Sequence, residues 1–76
     1  MNTLDKVQEM IAKQLNLQPS DVAPEKEIVK DLGADSLDVV EMLMNLEEEY
    51  SITIPDEDAM KIKTVADIVA VIDSNS

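Results

Sequence analysis

Ser36 is the residue whose surroundings most invite chemistry. It lies between Asp35 and Leu37-Asp38 and opens a run, Ser36 to Tyr50, in which apolar and acidic side chains occupy more than one helical face. As a nucleophile it has nothing to work with. The chain holds no His and no Cys, so no imidazole can take the hydroxyl proton, no thiolate can replace it, and no glycine-flanked elbow presents it. An enzyme is not expected. A serine without its own base, at a helix start, reads as a hydroxyl that another enzyme modifies, or more simply as part of the helix cap. The acidic triplet Asp56-Glu57-Asp58 lacks the alternating oxygen ligands, central Gly and closing Glu of an EF-hand loop, so no specific metal site is expected.

The elements that position Ser36 follow from periodicity. At about 100° per residue, Val39, Met42, Leu43, Leu46 and Tyr50 fall on one stripe, which predicts a helix over Ser36 to Tyr50 with those five in the core. Asp35 and Asp38 have the spacing of a capping box, which puts Ser36 at the first helical position. Beside Ser36 on the wheel, Leu37, Val40 and Met44 sit among Glu41, Glu47 and Glu48 on a face that avoids the core stripe. An apolar centre with an acidic rim has the anatomy of a docking site. Spacing alone equally allows the three apolar residues to be peripheral core.

Leu4, Val7, Ile11 and Leu15 predict an amphipathic first helix over Thr3 to Leu15, capped by Asn2 and ended by Asn16. From Leu17 to Asp35 the period fails, and Pro19, Ser20, Pro24 and Gly33 punctuate a loop of about 20 residues, which is long enough to need anchors. Leu17, Val22, Ile28, Val29 and Leu32 are the candidates, with a single turn at Pro19 to Val22. Pro55 to Asp58, with Ala59, Met60 and Ile62, predicts one or two helical turns. Thr64 and Asp67 cap a last helix whose core stripe is Val65, Ile68, Val69 and Ile72, before a polar tail Ser74-Asn75-Ser76. The expected fold is all-α: a small four-helix bundle, three helices longer and the third short, with a long loop between the first two.

At 76 residues the chain can bury one core, so residues 1–76 are read as a single domain. Tyr50 is the only aromatic residue and there are five Met, which makes that core aliphatic and deformable. No run approaches the roughly 20 apolar residues of a membrane span, and residues 1–5 lack signal-peptide features, so a cytoplasmic location is expected, or an organellar one after loss of a transit peptide. Seventeen Asp and Glu against six Lys give a formal net charge of −11. Basic partners are favoured, and nucleic acid or an anionic membrane would be repelled.

The run Asp31-Leu32-Gly33-Ala34-Asp35-Ser36-Leu37-Asp38 closely resembles the attachment motif of acyl carrier proteins from dissociated (type II) fatty acid synthesis. Glu41, Met44, Leu46, Glu47, Glu48, Glu49 and Ile54-Pro55-Asp56 continue the match, which is strong from Lys30 to Asp58 and mainly hydrophobic pattern at the ends. The resemblance implies that Ser36 receives 4'-phosphopantetheine from coenzyme A and carries growing fatty acyl chains on it as thioesters. It implies that Asp35, Leu37 and Asp38 flank the site for a phosphopantetheinyl transferase. Leu37, Val40, Glu41, Met44, Glu47, Glu48 and Asp56 would dock basic-surfaced synthesis enzymes and acyltransferases, the carrier acting as a monomer. The chain would enter between the second and third helices near Leu46, Ile54, Ala59 and Ile62, with Met42 and Met60 repacking around it.

Three positions depart from the common family pattern. Met60 stands where an acidic residue is frequent, so no docking role is carried there, and Ile28 and Tyr50 stand where Phe is frequent. A carrier of polyketide or aminoacyl groups is the alternative that would keep Ser36 and the helices. A decoy presenting an acidic face is the other, and it would gain no cofactor mass.

Overall fold

The computed structural model describes residues 2–75, so Ser76 of the expected polar tail lies outside the described residues. Four α-helices run in chain order: α1 Thr3–Leu15, α2 Ser36–Tyr50, α3 Asp56–Ala59 and α4 Val65–Asn75, with a 3-10 turn at Pro19–Asp21 between α1 and α2. No strand occurs among the described residues. The caps are those the sequence predicts. Asn2 accepts from Asp5 N–H at 2.8 Å to open α1, and Asn16 ends it in the left-handed region at φ 59°. Thr64 Oγ1 accepts from Asp67 N–H at 3.2 Å to open α4.

α4 continues through Ser74 and Asn75, two residues expected in the tail. The Asn75 amide donates back to the Val71 carbonyl at 2.8 Å, and that bond extends the last turn. Val7, Ile11, Ala12, Val22, Ile28, Ala34, Met42, Leu46, Val65, Ile68 and Ile72 form one contiguous core. Of the five α2 residues expected inside, Met42 and Leu46 are buried, while Val39, Leu43 and Tyr50 are half-buried.

The long loop is fastened along its length. Val22 and Ile28 are buried, and Leu17 and Leu32 pack partly against the core, but Val29 stays 60% exposed and anchors nothing. With no period in this stretch, the side of the chain that Val29 takes could not be read. Backbone bonds do the rest. Ile28 N–H donates to the Lys63 carbonyl at 3.0 Å, and the carbonyls of Lys26 and Pro24 accept from Val65 and Ala66 at 3.1 and 3.0 Å. The loop thereby satisfies the first N–H groups of α4, which a helix cannot satisfy itself.

Candidate functional site

α2 begins just after a buried residue of the loop. Ala34 is buried and its N–H donates to the Ile28 carbonyl at 3.1 Å, just after Gly33 turns the chain at φ 75°, a backbone region that favours glycine. The capping box is complete. The Asp35 carboxylate accepts from Asp38 N–H at 2.9 Å, and the Asp38 carboxylate accepts from Asp35 N–H at 3.2 Å. From α1, the Gln14 amide donates to the Asp38 carbonyl at 2.7 Å, tying the first turn of α2 to its neighbour. These contacts leave Ser36 exposed, and its hydroxyl takes no part in the side-chain hydrogen bonds of the described residues.

Leu37, Val40 and Met44 are 73%, 52% and 61% exposed, which resolves them as surface rather than peripheral core. On the same helix Glu41 and Glu48 are exposed and Glu47 is half-buried, and Asp56 on α3 is exposed. Two ion pairs form among the described residues, Lys6 with Glu49 at 2.9 Å and Lys63 with Glu27 at 3.4 Å. Neither neutralises the carboxylates beside Ser36. Glu49 holds the Lys6 ammonium above its ordinary pKa, chiefly through their hydrogen bond. The site is thus an exposed hydroxyl at a rigid helix start, next to apolar side chains in a negative field.

Of the four residues expected at the acyl chain, Leu46 and Ile54 are buried and Ala59 and Ile62 half-buried. Met60 is 86% exposed and so does not line the interior. Over a helix of only four residues its phase could not be read. An open groove of about 270 Å³ is lined by Ile28, Val29, Val39 and Ile62 with Glu27, Lys30 and Lys63, so of the four expected residues it brings in Ile62 and not Leu46, Ile54 or Ala59. The sequence reading placed neither Val29 nor Val39 at a groove. The signal for Val39 was its place three residues after Ser36, which sets it beside the serine on the helix.

Comparisons with known proteins agree with this geometry. A family model described as a phosphopantetheine attachment site matches residues 5–72. Acyl carrier proteins of Helicobacter hepaticus and Helicobacter pylori are 52% and 55% identical to the chain over 75 residues, covering 99% of it and 99% and 96% of the relatives. Among solved structures, the acyl carrier protein of Enterococcus faecalis superposes with a TM-score of 0.82 at 40% identity, covering 97% of this chain and 94% of that one. A Mycobacterium tuberculosis chain superposes at 0.90 with 29% identity, covering 96% and 97%.

These relationships define a phosphopantetheine-bearing carrier, not an enzyme. The chain belongs to the acyl carrier protein family. Its cofactor is 4'-phosphopantetheine and its role is that of a fatty acyl carrier, with the polyketide or aminoacyl alternative not favoured. The residues present fit the cofactor, because a hydroxyl that is exposed and free of intramolecular bonds can be esterified without breaking anything that holds the fold. Among the described residues no helix is long and apolar enough to cross a membrane.

Proposed function

We propose that Ser36 is the attachment site, and that the face beginning at Leu37 presents the attached group to a succession of enzymes. The observation that carries this is the placement of an exposed, unbonded Ser36 hydroxyl at a fixed helix start beside three exposed apolar residues. The bound group supplies the thiol that this Cys-free chain lacks. Everything else is positioning. Asp35 and Asp38 hold the first turn of α2, Leu37, Val40 and Met44 meet an apolar patch on the partner, and Glu41, Glu47, Glu48 and Asp56 face its Lys and Arg residues. Exposed ion pairs of this kind add little affinity but raise encounter rates and orient docking, which suits a carrier that must leave each partner quickly.

The partners are a phosphopantetheinyl transferase, basic-surfaced fatty acid synthesis enzymes and acyltransferases. The carrier works as a monomer in the cytoplasm, a location supported by its bacterial relatives. The acyl chain lodges between α2 and α3 near Leu46, Ile54, Ala59 and Ile62. Burial there gains about 0.8 kcal/mol per methylene, against a core that must part to admit it.

Incubation with coenzyme A and a phosphopantetheinyl transferase tests the site. The parent should gain the cofactor mass, Ser36→Ala should not while keeping its circular dichroism, and rates should fall as ionic strength rises. A Ser36→Ala variant that gains the mass would refute the assignment.

A further inference from the structure

Glu47 lies one turn before the end of α2, and three backbone N–H groups beyond the helix converge on it. Its carbonyl accepts from Ser51 and from Ile52 at 3.0 Å, and its carboxylate crosses the turn to accept from Ile54 N–H at 2.8 Å. Its neighbours behave otherwise. Glu48 is exposed and forms neither of the ion pairs, while Glu49 is committed to Lys6. Ile54 is also unusual: it is 8% exposed, yet it is the one buried apolar residue among the described residues that does not join the contiguous core. The Glu47 carboxylate supplies the only side-chain hydrogen bond to residues 51–55 among the described residues.

We propose that Glu47 is a positioning residue that latches the α2–α3 connector over the acyl-chain cavity, and that a Lys or Arg of a docked partner draws its carboxylate away and opens the cavity. This rests on the reading above that the chain lodges between α2 and α3. A carboxylate gains more from a cationic donor than from a neutral amide, so an arriving cation competes for the same oxygen. The Ile54 N–H then loses its side-chain acceptor, which favours a connector that moves outward to water over one that stays buried. Docking and chain release thus share one side chain, and the cavity opens where a partner is present to receive the chain.

The test uses the octanoyl-loaded carrier, with amide exchange at Ile54 by NMR and cleavage of the thioester by hydroxylamine as readouts. Glu47→Ala should speed Ile54 exchange by about tenfold, the protection one hydrogen bond confers, and should speed cleavage. With no partner present, Glu47→Gln, which loses the charge but keeps an acceptor oxygen, should stay near the parent in both readouts, as should Glu48→Ala, although both variants weaken docking. Adding an inactive condensing enzyme should abolish Ile54 protection in the parent, an arm that does not depend on any variant folding.

Ile54 protection that survives partner binding would overturn the trigger, and equal effects of Glu47→Ala and Glu48→Ala would overturn the latch. A parent thioester cleaved as fast as that of an acetyl-loaded carrier would overturn the cavity reading itself. A shielded parent thioester matched by Glu47→Ala would leave that reading standing and remove the latch alone.

Discussion

Two stretches outside the three long helices, residues 16–35 and 51–64, are held in opposite ways. The first is nearly all loop, yet it sinks Val22, Ile28 and Ala34 into the core and lends its carbonyls to the start of α4. The second contains a helix, but α3 has no buried residue. Carboxylates fasten it at both ends: Glu47 takes Ile54 N–H, and Asp67 takes Lys63 and Thr64 N–H at 2.9 and 3.0 Å. Local stability follows buried anchors rather than helical content. A loop can therefore be the firm part of a small protein and a helix the loose part, and here the loose part lies over the proposed cavity.

Truncating an anchor in each stretch gives the largest contrast. Ile28→Ala should cost about 3 kcal/mol in urea unfolding, as expected for a large side chain lost from a close-packed core. Ile54→Ala should cost about 2 kcal/mol, at the low end of the same range, because that site stands outside the contiguous core. Equal costs would erase the distinction between the two stretches.

A smaller effect comes from the carboxylate at the far end of the second stretch. Asp67→Asn should cost about 1 kcal/mol at neutral pH, as capping losses do. The N–H groups of Thr64 and Lys63 hold the Asp67 pKa below its ordinary value. Its contribution is therefore full above the usual Asp range, near 3.9, and is lost as pH falls through the lowered folded value. The parent's acid-unfolding profile should be steeper there than the variant's, and superimposable profiles would mean that Asp67 fastens nothing.

The smallest effect expected is a gain. Ser51 ends α2 in the left-handed region at φ 54°, which costs a side-chain-bearing residue about 1–2 kcal/mol, part of it returned by glycine's greater freedom when unfolded. Ser51→Gly should raise stability by under about 1 kcal/mol in the same urea assay. A loss would show that the Ser51 side chain holds this turn.

Both long helices next to the loop were legible to the residue, because α1 and α2 carry strong periods and side-chain caps at their starts. Val22 and Ile28 were legible as anchors because a long loop must bury something. Ala34 was not, since a small residue beside Gly33 reads as turn chemistry, and Val29 misled because hydrophobicity without a period carries no direction. Met60 misled for the same reason on a short helix. The contact of Glu47 with Ile54 spans a helix end and a turn, and the i, i+3 and i, i+4 spacings that guide helical pairing do not reach it. In sequence Glu47 was one of three consecutive Glu residues, and only the path of the chain after Ser51 sets it apart.

The reciprocal bonds between Asp35 and Asp38, with Gln14 braced against the Asp38 carbonyl, have a mechanical meaning as well. They brace the origin of α2 from both its own first turn and α1. If the tether hangs from Ser36, as proposed, its range is set mainly by its own rotatable bonds rather than by bending of the protein. On that reading a receiving enzyme needs to grip only the body of the carrier, at the right distance from its own reacting groups, for the far end of the tether to arrive in place.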